Sequence, residues 1–272
     1  MKYHCYLPTE NGINELPFNP CEILGFQTLR LAKGKSYAAA SGDREILAVV
    51  LGGVANVKVG SASFEKVGGR PNVFSGKPHS VYIPAGSDYA ITALTNIEVA
   101  MPSAPSDLVT DPYVIRPDQV ATGTWGAANF SRSFHQILTE VAQPDLPARR
   151  LIVGETYTPS GNWSTYPPHR HAHEALPAEA RHEEMYYFRV SPADGFGICH
   201  MYQDDGFEEN FTVRDHGMHM MPSGYHTVVS APGYTTYYLW FLGGEHRTQG
   251  AIDDANVGWV GRTVPMLRQL GH

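Results

Sequence analysis

Cysteine is scarce in this chain of 272 residues, and its three thiols lie far apart at Cys5, Cys21 and Cys199. An odd number of widely spaced cysteines does not indicate a disulfide framework. The opening residues, MKYHCYLPTE, contain no apolar segment of the kind found in secretory signal peptides. These features together predict a protein of a reducing, cytoplasmic compartment.

Long apolar runs and basic blocks are missing too. The sequence has no run of about 18 apolar residues, so we expect no membrane span. It carries 20 Lys and Arg against 27 Asp and Glu, a net charge of −7 at pH 7. We therefore expect no nucleic-acid partner and no anionic-membrane partner. An anionic substrate would need a local Arg or Lys in its pocket that works against the overall field.

Helical periodicity over a dozen residues is also absent, whereas turn residues are plentiful, with 27 glycines and 20 prolines. Apolar runs and period-two alternation occupy residues 44–60 and 80–94 in the first half, and 183–202 and 211–244 in the second. Short alternating segments between frequent turns are typical of sandwiches and barrels. We predict an all-β protein.

The two halves repeat one pattern. Glu45 opens an apolar strand 39 positions before a Pro-Ala-Gly turn, and Glu184 opens an aromatic strand 38 positions before a Pro-Ser-Gly turn. Such self-similarity predicts two related barrels, which we place at residues 1–110 and 111–272.

Four residues of the second half have the types and spacing of metal ligands: His169, His171, Glu184 and His226. In a strand, residues i and i+2 point to the same face, so His-x-His aims two imidazoles at one point. Three imidazoles and one carboxylate suit zinc, manganese, iron or nickel without distinguishing among them. Glu183, beside Glu184, is a rival ligand.

The first half lacks a matching set of ligands. It contains no His-x-His, and Asp88 follows its Pro-Ala-Gly turn at the position where His226 follows the Pro-Ser-Gly turn. We therefore expect the N-terminal barrel to be degenerate and free of metal.

Several segments resemble one family. In the second half these are RRLIVGET, GNWSTYPPHRHAHE, EEMYYFRVSPADGFG and MPSGYHTVVSAPGYTTYYLWFLGG, and in the first half RPNVFSGKPHSVYIPAG. The ligand-bearing blocks resemble the cupin pattern, and all five segments together resemble the 5-deoxy-glucuronate isomerase family of myo-inositol catabolism. That family is related to 4-deoxy-5-hexulose-uronate isomerase. The resemblance covers most of the chain.

The resemblance implies a bicupin made of two double-stranded β-helix (jelly-roll) barrels. It also implies a metal-dependent aldose–ketose isomerase that converts the sugar acid 5-deoxy-glucuronate to 2-deoxy-5-keto-gluconate, and it is compatible with a homo-oligomer. The chain departs from the family pattern in two places. HRHA stands where HKHD is usual, which changes Arg170 and Ala172 but no ligand, and the segment between His171 and Glu184 is longer than usual.

The implied chemistry suggests roles for particular residues. The isomerisation moves a proton from C2 to C1 through an enediol or moves a hydride directly. A metal on the C1 and C2 oxygens would stabilise an enediolate, and the base near C2 could be Glu184, Glu183 or a metal-bound hydroxide. The sugar carboxylate needs a cation, for which we select Arg170, with Arg181 and Arg189 also close in sequence. Tyr225 and Tyr238, with Tyr237 as a further candidate, would contact hydroxyl groups.

Two other functions fit the same ligands. One is an iron-dependent cupin dioxygenase, and the other is a non-catalytic bicupin that binds a sugar acid. The sequence shows no DNA-binding segment, which weakens a regulatory role for the latter.

Overall fold

The structure is a computed structural model that describes residues 2–272. Short antiparallel strands dominate this part of the chain. In chain order they are β1 (His4–Tyr6), β2 (Gly12–Glu15), β3 (Gly25–Leu31), β4 (Ser36–Ala40), β5 (Arg44–Gly52), β6 (Val54–Val59), β7 (Ala62–Gly68), β8 (His79–Ile83), β9 (Asp88–Ala93), β10 (Ile97–Pro105), β11 (Tyr113–Ile115), β12 (Ala121–Trp125), β13 (Arg132–Leu138), β14 (Leu151–Thr158), β15 (Trp163–Arg170), β16 (His182–Ser191), β17 (Gly197–Tyr202), β18 (Glu208–Val213), β19 (Gly217–Met221), β20 (Tyr225–Ser230), β21 (Thr235–Gly244) and β22 (Ile252–Asp253).

Helices are few and short in the described residues. The α-helix α1 spans Val264–Gln269, and 3-10 turns span Pro117–Gln119, Ala128–Phe130 and Gly258–Thr263. No helix of residues 2–272 has the length and apolar character needed to cross a bilayer.

Each half of the chain forms two facing sheets. In the first half, a six-stranded sheet (β11-β8-β5-β10-β3-β2) faces a four-stranded sheet (β4-β9-β6-β7). In the second half, a seven-stranded sheet (β1-β19-β16-β21-β14-β13-β12) faces a five-stranded sheet (β18-β17-β20-β15-β22). The all-β, two-barrel prediction is confirmed.

Three apolar cores explain why some strands are nearly continuous apolar runs and others alternate between apolar and polar residues. One core fills each barrel, and a third joins the two large sheets back to back, with Leu47 and Val49 packed in the same cluster as Leu239 and Phe241. Strands β5 and β16 belong to the large sheets and are buried on both faces. They therefore appear as nearly continuous apolar runs, whereas β9, with one face partly exposed, alternates.

Two glutamates brace the barrels against each other in a reciprocal way. The Glu183 carboxylate accepts backbone N–H groups of residues 22–24 at 2.6, 2.7 and 3.0 Å, just ahead of β3. The Glu45 carboxylate accepts those of residues 149–151 at 2.7, 2.7 and 2.8 Å, leading into β14. The structural counterpart of Glu45 is thus Glu183, not Glu184 as the repeat first suggested.

A buried ion pair also crosses this interface. Arg70 of the first barrel contacts Glu155 of the second, with Nη2 to Oε1 at 2.5 Å and Nη1 to Oε2 at 3.1 Å. Tyr237 donates its hydroxyl to the same carboxylate at 2.8 Å, and His135 Nδ1 lies 3.0 Å from it. Every oxygen of this buried carboxylate therefore has partners, as a buried charge requires.

Strand pairing crosses the predicted boundary at residue 110. Strand β1 pairs with β19 of the second barrel, and β11 pairs with β8 of the first. The sheets therefore exchange short segments, and the division into 1–110 and 111–272 stays a prediction.

Candidate active site

The structure brings the four predicted ligands together. His169 lies on β15 and pairs in register with His226 on β20, while Glu184 lies on β16, between β19 and β21 of the large sheet. His171 follows the end of β15. One potential ligand atom from each side chain lies within 4.8 Å of those of the other three. The register of β15 shifts between Ser164 and His169, and bulges of this kind commonly re-aim side chains beside active sites.

Glu184 lies at the centre of this cluster. Its Oε2 is 2.9 Å from Nε2 of His171 and 2.9 Å from Nε2 of His226. Burial raises the pKa of the Glu184 carboxyl, but the close contacts of His171 and His226 outweigh it and hold the pKa well below its usual range. Burial and the neighbouring His226 lower the pKa of His169 well below its usual value. A carboxylate and a neutral imidazole are the forms that bind metal ions.

The orientation of the histidines fits a metal ion. Nδ1 of His171 lies 2.8 Å from the carbonyl oxygen of His182. Donation to that carbonyl directs the Nε2 atom into the cluster, which is how metal-binding histidines are commonly fixed. Nε2 of His226 is buried and close to Glu184 but makes no hydrogen bond. The Nε2 atoms of His171 and His226 both lie next to Oε2 of Glu184. Imidazole nitrogens together with a carboxylate oxygen suit a divalent transition metal.

Glu184 also affects the protonation of His171. Burial lowers the pKa of His171, but the hydrogen bond and charge of Glu184 outweigh that effect and raise it. A cation bound among these side chains would take the place of the shared proton.

The cluster borders a cavity of about 380 Å³, a volume within the range of small-molecule pockets. Aromatic side chains form much of its wall, and the C-terminal segment covers one side. The lining includes Trp125, Tyr166, Tyr186, Tyr238, Trp240, Gln249, Gly250, Ala251 and Val264. Of the predicted substrate contacts, Tyr238 lies here, with its hydroxyl hydrogen-bonded to Ser164.

The structure does not bring Arg170 and Tyr225 into this cavity. They line a neighbouring depression instead, where Arg170 Nη1 contacts Asp204 at 2.5 Å and the guanidinium lies 5.1 Å from the Tyr225 ring centroid. Arg170 follows His169 directly, and successive residues of a strand point to opposite faces. The Glu183 carboxylate is likewise directed elsewhere, onto the backbone N–H groups of residues 22–24.

The neighbouring histidines divide into two groups. His173, at the start of the longer segment between His171 and Glu184, is exposed. His182 and His219 are fully buried. The His182 ring lines the cavity, and its Nε2 lies 2.6 Å from the carbonyl oxygen of His246. His182 thus supports His171 through its backbone and the cavity wall through its ring.

Arg132 is the cavity residue that sequence reasoning missed. It is the first residue of β13 and pairs in register with Trp125 of β12. Its guanidinium lies 5.6 Å from the Trp125 ring centroid. No motif marks Arg132 in the sequence, because its position depends on a strand pairing at the edge of the large sheet.

Comparison with known proteins gives a consistent result. The model of the KduI/IolB family matches residues 15–260. The chain is 38% identical over 241 residues to the 5-deoxy-glucuronate isomerase of Geobacillus kaustophilus, covering 88% of this chain and 86% of that protein. It is 36% identical over 237 residues to that of Bacillus subtilis strain 168, covering 86% of each.

Solved structures agree with these relatives. A crystal structure of an IolB-like protein from Salmonella typhimurium LT2 superimposes with a TM-score of 0.90 at 30% identity, covering 95% of this chain and 98% of that one. The oxalate decarboxylase of Lactobacillus farciminis superimposes with a TM-score of 0.68 at 12% identity, covering 92% and 88%. The second likeness concerns the fold alone and confirms the predicted bicupin. The chain belongs to the KduI/IolB family.

Proposed function

We propose that this protein is a metal-dependent aldose–ketose isomerase that converts 5-deoxy-glucuronate to 2-deoxy-5-keto-gluconate in myo-inositol catabolism. One observation carries the proposal. A protein named 5-deoxy-glucuronate isomerase is 38% identical over 88% of this chain, and the chain places a three-histidine, one-glutamate cluster, three of whose members are buried, beside a cavity.

In this proposal the residues of the site have separate roles in binding the metal, excluding water and contacting the sugar. His169, His171, Glu184 and His226 hold one divalent ion, which when bound supplies Lewis-acid stabilisation of negative charge developing on the substrate oxygens. The aromatic wall excludes water around the sugar. Tyr238, already in the cavity, offers a hydroxyl to the sugar.

The positions of Glu183 and Glu184 favour one of them as the catalytic base. The Glu183 carboxylate accepts three backbone N–H groups at the barrel interface and does not line the cavity, whereas Glu184 does. Of the two carboxylates, Glu184 is therefore the candidate for moving the C2 proton. The metal's identity, a metal-free N-terminal barrel, a cytoplasmic location and a homo-oligomer stay predictions.

The test is anaerobic turnover. Purified protein of measured metal content is incubated without oxygen with 5-deoxy-glucuronate in deuterated water, and the C2 proton is followed by NMR. We expect conversion to the ketose without oxygen, which a dioxygenase cannot achieve. If metal-replete protein binds the sugar acid without converting it, the isomerase proposal is wrong and a non-catalytic bicupin is favoured.

A further inference from the structure

The cavity beside the cluster contains one permanently charged cation among the described residues that line it, Arg132. The molecule as a whole is acidic, with a net charge of −7, so its overall field does not attract an anion. A carboxylate that entered this cavity would need a local positive charge. Arg132 is the side chain of the lining that supplies one at every physiological pH.

The guanidinium of Arg132 is poorly satisfied by the protein. Its Nη1 donates to the carbonyl oxygen of Phe130 at a long 3.4 Å, and its Nε is buried without a hydrogen-bond partner. Within residues 2–272 no carboxylate lies at salt-bridge distance from it. Arg70 and Arg189, by contrast, contact carboxylates at 2.5 and 2.8 Å. A buried donor without an acceptor is costly, so this side chain is prepared for an external acceptor.

The surroundings keep Arg132 in place without a direct ion pair, since the Asp253 carboxylate interacts with it from beyond salt-bridge distance. The Trp125 ring lies under its guanidinium as its cross-strand neighbour. Gly126 leaves the space that Arg132 occupies, because a Cβ there would lie 2.9 Å from Nη1. Arg268 of α1 donates to the carbonyl oxygen of Gly126 at 3.1 Å and fastens the same turn. A cation held in this way is preorganised for a carboxylate.

Two further buried atoms point to a polar ligand. Nε1 of Trp240 and Nδ1 of His182 have no hydrogen-bond partner, and both side chains line the cavity. Together with the buried Nε of Arg132 they are unpaired polar atoms in side chains of a lining that mixes aromatic, polar and aliphatic residues, which is the composition of a specific small-molecule site.

We propose that Arg132 forms an anion subsite that binds the carboxylate of the sugar acid, in the same cavity as the His/Glu cluster. Arg170, the cation that the sequence suggested for this role, is paired with Asp204 outside the cavity. The inference rests on the proposed function for the identity of the sugar. The anion subsite itself depends only on Arg132 and its surroundings.

The experiment measures binding apart from turnover. Two ligands that cannot isomerise are used: 5-deoxy-glucuronate reduced at C1, and the matched neutral alditol with a hydroxymethyl group in place of the carboxylate. Dissociation constants are measured by calorimetry on metal-loaded wild type, Arg132→Gln, Arg132→Lys and the control Arg170→Gln. Thermal melting and metal analysis check that each variant is folded and loaded.

We expect Arg132→Gln to weaken binding of the acid by about 10- to 100-fold, the value of one charge-assisted contact, and binding of the neutral alditol by less than about twofold. Arg132→Lys should recover part of the loss, and Arg170→Gln should bind both ligands like wild type. Equal weakening of both ligands by Arg132→Gln, no weakening of either, or a selective loss in Arg170→Gln would each overturn the proposal.

Turnover of 5-deoxy-glucuronate by wild type is scored separately. If wild type binds the acid through Arg132 but does not isomerise the sugar, the proposed function fails and the subsite stands. If wild type isomerises the sugar and Arg132→Gln keeps the wild-type KM, the subsite fails and the proposed function stands.

Discussion

At the scale of single residues, two adjacent glutamates have opposite tasks. Glu184 contacts His171 and His226 inside the second barrel, whereas Glu183 braces the backbone of the first. The alternation of a strand separates them, since neighbours point to opposite faces. One dipeptide thus contributes both to the candidate metal centre and to the barrel interface.

Loss of a single imidazole should empty the candidate metal centre. We expect His171→Ala to weaken metal binding by more than about 100-fold, because even the loss of an outer partner of a metal ligand costs about 10- to 100-fold. The fold should persist, since the cores of both barrels are untouched. Metal content after dialysis and the melting temperature are the measurements. His173→Ala, an exposed histidine two positions on, is the matched control and should keep its metal. Full metal occupancy in His171→Ala would remove it from the ligand set.

At the scale of elements, the loop between β15 and β16 is tied to the site rather than loosely inserted. The Glu179 carboxylate is buried and accepts the backbone N–H groups of Ala172 and His173 at 2.8 and 3.1 Å. The N–H of Ala180 donates to the carbonyl oxygen of Gly250 at 3.1 Å, within the segment that lines the cavity. The loop therefore connects the ligand strand to the cavity wall.

Loss of the Glu183 charge should affect the stability of the fold and not the binding of metal. We expect Glu183→Gln to keep bound metal but to lower the free energy of unfolding by about 1.5–3 kcal/mol, because a charged acceptor of three backbone N–H groups is replaced by a neutral one. The reciprocal variant Glu45→Gln should be destabilised to a similar extent.

Denaturant unfolding and metal analysis test this pair. Glu184→Gln provides the contrast, since it should lose metal. Loss of metal in Glu183→Gln with unchanged stability would return Glu183 to the ligand set.

At the scale of the whole molecule, the two barrels are joined through an apolar core that contains one buried ion pair. Arg70 is 5% exposed and Glu155 is fully buried. Burial raises the pKa of Glu155, but the charge of Arg70 outweighs it and lowers the pKa from 4.5 to about 2. The stability of the interface between the barrels therefore depends on the ionised state of the Glu155 carboxyl.

This linkage predicts how acid weakens the molecule. The stabilisation from Glu155 is complete above its unfolded pKa near 4.5 and is lost as the pH falls toward its folded pKa of about 2. At pH 7, Glu155→Gln should lower the free energy of unfolding by about 3–5 kcal/mol, because Arg70 is left buried without its partner. The difference between wild type and variant should shrink between pH 4.5 and 2.

Urea unfolding of metal-free protein at a series of pH values measures that difference. Asp118→Asn removes an exposed ion pair with Arg116 and should change stability little at any pH. A constant difference between wild type and Glu155→Gln down to pH 2 would contradict the linkage.

Local patterns in the sequence determined the strands, the duplication and the candidate ligand set. Period-two alternation, turn residues and His-x-His act over a few positions, and the geometry of an extended strand converts them directly into faces and convergent side chains. The longer segment before Glu184 did not separate the candidate ligands, because its two ends come back together, with the His182 N–H donating to the carbonyl oxygen of His171 at 2.9 Å.

Only the tertiary structure decided which charges share the cavity. Arg170 stands next to a ligand in the sequence yet faces Asp204, whereas Arg132 lies 37 positions before His169 and lines the same cavity. It also decided that Glu183, not Glu184, is the counterpart of Glu45. These positions depend on sheet edges, register shifts and the packing of one barrel on the other. Such long-range pairings leave no local periodicity, so they become visible only when the chain is folded.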